Sequence, residues 1–160
     1  MKKTVPLALT ALSAFSALSV SIALAGLPML AQAEESPVGL WKSIDDKSGK
    51  PKALIRITET AGELQGRIEK LFLEADAPEK NPKCDKCEGA NKDQPIVGMT
   101  ILSGLKKDGD EYTGGKILDP GNGKLYSSKL SVIENNKKLN VRGYIGAPMF
   151  GRTQTWLREQ

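Results

Sequence analysis

From residue 38 onward, apolar and polar positions alternate in short runs, and each run stops at a cluster of turn-forming residues. A period of two is the mark of a strand with one buried face, because successive side chains point to opposite sides of a sheet. Within 53–58, Ala53, Ile55 and Ile57 share one face and Arg56 and Thr58 the other. Within 64–73, Leu64, Ile68 and Phe72 lie opposite Arg67 and Glu69. The same reading predicts strands over 38–44, 96–105, 112–118, 125–133, 139–145 and 153–158. Asp108-Gly109 after the fourth run is hairpin chemistry, since this pair accepts the positive φ of a tight turn. Asp119-Pro120-Gly121-Asn122-Gly123 is the densest turn signal in the chain, and Gly114-Gly115 predicts a bend or bulge.

About eight strands joined by short turns, with no βαβ period and no convincing helix, predict an all-β fold. Consecutive strands with short links pair antiparallel, so the expected topology is an up-and-down meander closed into a β-barrel. Closure removes both sheet edges and leaves an interior for side chains or one small ligand. Residues 34–160 form a single barrel domain in this reading, long enough to bury a core without staples. Residues 74–94 are polar, bear prolines and lack strand character; they are either a lid over one barrel mouth or a solvated connector.

Residues 1–33 have the organisation of a signal peptide. Lys2 and Lys3 precede an uncharged run over 4–30, and Ala31-Gln32-Ala33 supplies the small-x-small pattern cut by signal peptidase. An uncut anchor is the alternative, because the run is long enough to span a bilayer. Four serines dilute that run, Pro28 interrupts it, and Glu34 and Glu35 follow at once, which favours cleavage after Ala33. The expected location is periplasmic or secreted, with no stable membrane insertion once the leader is removed.

Charge and composition narrow the chemistry. The chain carries 23 basic and 19 acidic groups, mixed along its length, so no basic stripe for nucleic acid is expected. Histidine is absent, which removes the usual general base near neutral pH and the commonest metal ligand. Nothing singles out a carboxylate pair for acid–base work. The sequence therefore predicts no enzyme, no catalytic residue, no cofactor and no metal site. Asp119 and Asn122 supply too few oxygens for a calcium loop, and a tight hairpin accounts for them.

Cys84-Asp85-Lys86-Cys87 admits three readings. A zinc site would need ligands beyond the two thiolates, and only acids such as Asp85 or Glu88 are at hand. A redox centre would need the helix N-terminus of a βαβ unit, which the pattern lacks. A structural Cys84–Cys87 disulfide suits the oxidising compartment, with an entropic gain of roughly 2 kcal/mol from so small a ring. Arg56, Arg67 and Arg142 alternate with apolar neighbours on strands. They face water, or they face the interior and pair with a ligand carboxylate or a buried acid, in which case Tyr144 and Gln154 share that environment.

Gly39-Leu40-Trp41 opens the first strand, and a cation from the last strand, Arg152 or Arg158, is placed to lie across the indole at the closed barrel end. This Gly-x-Trp opening resembles that of the lipocalins. A wider resemblance runs in order through Gly39-Leu40-Trp41, Pro82 to Cys87, Pro95 to Leu102, Gly115 to Pro120, Leu139 to Tyr144 and Gly151 to Trp156. These blocks resemble the exported bacterial proteins grouped as domain of unknown function 2147. The resemblance implies a compact lipocalin-like barrel in the bacterial envelope and implies no activity. The expected role is binding of a small hydrophobic or amphiphilic ligand in the barrel. The alternative is a structural or partner-binding envelope protein with a filled core.

Overall fold

A computed structural model describes residues 35–159; the expected signal peptide and its cut site lie outside the described residues. The strands are β1 (Gly39–Ile44), β2 (Pro51–Thr60), β3 (Glu63–Leu71), β4 (Thr100–Asp108), β5 (Glu111–Asp119), β6 (Lys124–Ile133), β7 (Lys138–Tyr144) and β8 (Arg152–Glu159). Each pairs antiparallel with its sequence neighbours, and β8 returns to β1, so the sheet is a closed eight-stranded barrel in meander order. Trp41 stands opposite Arg158 across the closing seam.

The alternation read from the sequence sorts the faces. Ala53, Ile55 and Ile57 of β2 are buried while Arg56 and Thr58 are exposed. Leu130 of β6 and Leu139 of β7 are fully buried and Trp156 of β8 nearly so, all on one continuous core with Trp41. Each such side chain contributes about 1.5–3 kcal/mol when withdrawn from water.

Meander order places the connections at two ends. One end carries the tight turns, residues 61–62, 109–110 and 134–137. The other carries residues 45–50, 72–99, 120–123 and 145–151, which include every long connection. A short 3₁₀ turn, Pro148–Phe150, sits in the last of these, and another, Gly89–Asn91, in the longest.

Two of the boundary differences from the sequence reading change which residues face the core. β4 begins at Thr100 and not at residue 96, because Gly98 adopts φ 95° and breaks the extended run. The Met99 amide then turns back to donate to the Ile96 carbonyl at 3.1 Å, and Met99 is buried beside the strand it precedes. Phe72 lies past the end of β3 and is partly exposed, so it does not continue the buried face of Leu64 and Ile68.

Candidate functional site

The tight-turn end is sealed. Trp41 is fully buried, and its indole Nε1 donates to the Pro37 carbonyl at 2.7 Å. The Arg158 guanidinium lies 4.2 Å from the ring centre. It donates through Nη1 to Val38 O at 3.0 Å, and also to the carbonyls of Ser36 and Asn136. Burial moves the Arg158 pKa below its ordinary value, a direction that leaves an arginine charged at neutral pH. Gly39 makes the arrangement possible: at φ 140°, a Cβ there would stand 2.6 Å from Arg158 Nη1. The Asn136 carbonyl is presented by a turn in which Glu134, Asn135 and Asn136 all take positive φ. The Ser36 amide donates to Asn136 Oδ1 at 2.9 Å, tying the entering chain to that turn.

Arg152, the other cation considered for this end, lies at the opposite mouth. It pairs there with Asp46 of the β1–β2 turn. The Gln154 amide donates to the same Asp46 carboxylate at 3.2 Å, and its oxygen accepts from Trp156 Nε1 at 3.4 Å. A polar chain therefore runs from the rim, through Asp46 and Gln154, to the indole of a buried tryptophan. The neighbouring Asp45 carboxyl is held below its usual range by the Ser48 amide and hydroxyl, which stiffens the turn carrying Asp46.

The other nominated residues fall elsewhere. Arg56 points outward and forms a two-bond pair with Glu69 across β2 and β3, which also holds the Glu69 carboxyl below its usual range. Arg67 points outward and donates to Gly98 O at 2.6 Å, on a surface groove of about 340 Å³. Arg142 points outward and grips the 3₁₀ turn through Pro148 O at 2.7 Å. It lines a second outer groove of about 360 Å³. None of the three reaches the barrel interior, because each sits between inward-facing residues of its strand. Tyr144, half-buried at the end of β7, faces outward with Arg142. Of the five nominated ligand residues, the structure brings only Gln154 to the mouth interior.

The interior itself is crowded. A Cβ on Gly66 would stand 2.8 Å from Leu102 Cδ1, and one on Gly115 would stand 2.4 Å from Leu105 Cγ. Leucine side chains therefore occupy the space that these interior glycines vacate. One polar atom stands out: Ser128 Oγ is buried without a hydrogen-bond partner among the described residues. Ser128 lies opposite Gly115 on one side and Gly143 on the other, so three small inward residues adjoin on β5, β6 and β7. Sequence reasoning missed this cluster because serine and glycine carry no apolar signal.

The loop over residues 72–99 folds onto the same mouth. Cys84 and Cys87 are joined in a disulfide, and both are buried in the core cluster. The Lys83–Pro95 bridge closes the base of the loop. Its tip meets the β5–β6 turn so closely that a Cβ on Gly123, at φ 73°, would stand 1.8 Å from Lys86 O. The disulfide-bearing half of the loop thus packs as a lid against the mouth and is not a free connector.

The family model described as "Uncharacterized protein conserved in bacteria (DUF2147)" matches residues 39–158, from Gly39 to Arg158 of the sealed end. The chain belongs to this family. No curated protein matches it. Among solved structures it is similar to protein HP1028 from Helicobacter pylori, described as belonging to the lipocalin family. The two share 20% identity, cover 78% of this chain and 84% of the other, and superpose with a TM-score of 0.65. The likeness is one of fold: the chain is a lipocalin-like barrel of an uncharacterised bacterial family.

Proposed function

We propose that this family member is a non-catalytic binding protein of the bacterial envelope, periplasmic or secreted, that takes a small amphiphilic ligand at the lidded mouth. The observation that carries the reading is the buried Ser128 hydroxyl, which has no partner among the described residues and lies beside Gly115 and Gly143. A buried polar group left unpaired costs about 1–3 kcal/mol, so a ligand or water supplying the missing bond is favoured there. Gln154 and Arg152 offer donors to a polar head group at the rim, and Trp156 lies beneath them. The closeness of Leu102 and Leu105 to the interior glycines limits the ligand to a short apolar part.

Trp156 emission reports this site. Titration with medium-chain fatty acids and their alcohols should give a saturable change that Gln154→Leu weakens. Absence of saturation with every chain length rejects the reading. A second reading, a partner-binding protein with a filled core, is favoured by that same leucine packing. It predicts no response of Trp156 to any amphiphile.

A further inference from the structure

The β7–β8 connection carries an apolar tip that the barrel does not use. Ile145 is 67% exposed, Met149 76% and Phe150 78%, and Leu125, 61% exposed, is the second residue of the adjoining β6 strand. Apolar side chains bared together at one protruding turn mark a surface that meets something less polar than water. The nine residues from Gly143 to Gly151 contain no charge, and no acid occurs between Glu134 and Glu159.

The turn is also built rather than loose. The Phe150 amide donates to Ala147 O at 3.1 Å and the Gly151 amide to Pro148 O at 3.0 Å. Arg142 donates to Pro148 O at 2.7 Å, to Met149 O at 3.4 Å and to the Thr153 hydroxyl at 2.8 Å. The Phe150 amide and the carbonyls of Ala147, Pro148 and Met149 are thus satisfied from within, which lowers the cost of bringing the tip to a hydrocarbon boundary.

The charges around the tip decide which apolar phase suits it. Arg152 is paired with Asp46, and Lys124 stands opposite Asp119. Arg142 bonds the uncharged oxygens named above, and Lys116 bonds the Ser127 hydroxyl at 3.0 Å, in the strand register beside Tyr144. The balance left beside the apolar turn is positive, complementary to an anionic lipid surface.

We propose that the 145–150 turn, with the cations on the outer face of β5–β7 beside it, docks the barrel onto an anionic lipid surface, with Met149 and Phe150 entering the interface. Docking goes beyond the ligand site and does not depend on it. The closed sheet and its core are complete within residues 35–159, so the barrel over 34–160 is the protein to test, without the apolar leader. It should sediment with vesicles of phosphatidylcholine mixed with phosphatidylglycerol, and less with phosphatidylcholine alone. Met149→Ser/Phe150→Ser should weaken that binding by about tenfold or more while leaving circular dichroism unchanged. A Phe150→Trp variant should show blue-shifted emission on the mixed vesicles and quenching by brominated lipid.

Failure of the unaltered barrel to bind mixed vesicles overturns the proposal, as does binding that survives the double substitution. Concentration-dependent dimerisation lost in the same variant, without vesicle binding, gives the tip to a second copy and also overturns it.

Discussion

Arg158 reaches across the seam that closes the barrel and lies over Trp41, its guanidinium carbon 4.2 Å from the ring centre. The same group holds three backbone carbonyls, two of them in the strap over 35–38 that enters β1. One side chain therefore joins the first strand, the last strand and the β6–β7 turn at the sealed end.

Arg158→Ala should destabilise the barrel by about 2–4 kcal/mol, combining lost charge-assisted bonds with the lost ring contact. Arg158→Lys should recover only part of this, since an ammonium cannot span three carbonyls in a plane. Urea unfolding followed by Trp41 emission measures both. Equal stability of all three proteins would reduce the stack to a bystander.

Gly123→Ala should displace the disulfide lid. The added Cβ meets backbone, which yields less readily than a flexible side chain, and φ 73° disfavours it independently. A loss of about 1–3 kcal/mol is expected, with faster proteolysis within residues 74–94. Gly109→Ala is the comparison: it shares a positive φ but meets nothing within 4 Å, so it should leave the lid protected.

Replacing both cysteines by serine should cost about 2 kcal/mol or somewhat more, since two hydroxyls then enter the core cluster. The barrel should persist, with the lid loosened. A structural bridge should neither accelerate the reduction of insulin by added dithiothreitol nor exchange readily with reduced glutathione. Efficient turnover in either assay would reinstate a redox role.

Stability should decline on acidification through the carboxylate range. Folding lowers the Glu69 pKa through the Arg56 pair and the Asp45 pKa through Ser48. For an acid whose folded pKa is depressed, the gain is present above the unfolded pKa and is lost as pH falls through the folded one. Both groups are well exposed, so water screens the effect, and an Arg56–Glu69 pair of this kind contributes at most about 1 kcal/mol. Arg56→Gln should flatten the pH dependence of the urea midpoint below about pH 4.5 without changing the fold. An unchanged slope would show that the pair is inert.

The strand count, the antiparallel meander and the Gly-x-Trp opening were all legible in the sequence. Period-two alternation and turn residues are local signals, and eight such runs have few ways to hide their apolar faces other than closing. Gly98 hid the true start of β4, because an apolar run looks continuous until one residue takes a positive φ. Choosing between Arg152 and Arg158 required strand register: six residues apart on one strand, they share a face but stand at opposite ends of the barrel. Which face of Arg56, Arg67 and Arg142 met water was likewise ambiguous on mixed strands, until closure made the side bearing Ile57, Ile68 and Val141 the inner one. Ser128, a small polar residue, gave no sign of being walled in. Alternation is written in neighbouring residues, whereas burial, lid contact and the bared 145–150 turn depend on what the closed sheet brings alongside from far along the chain.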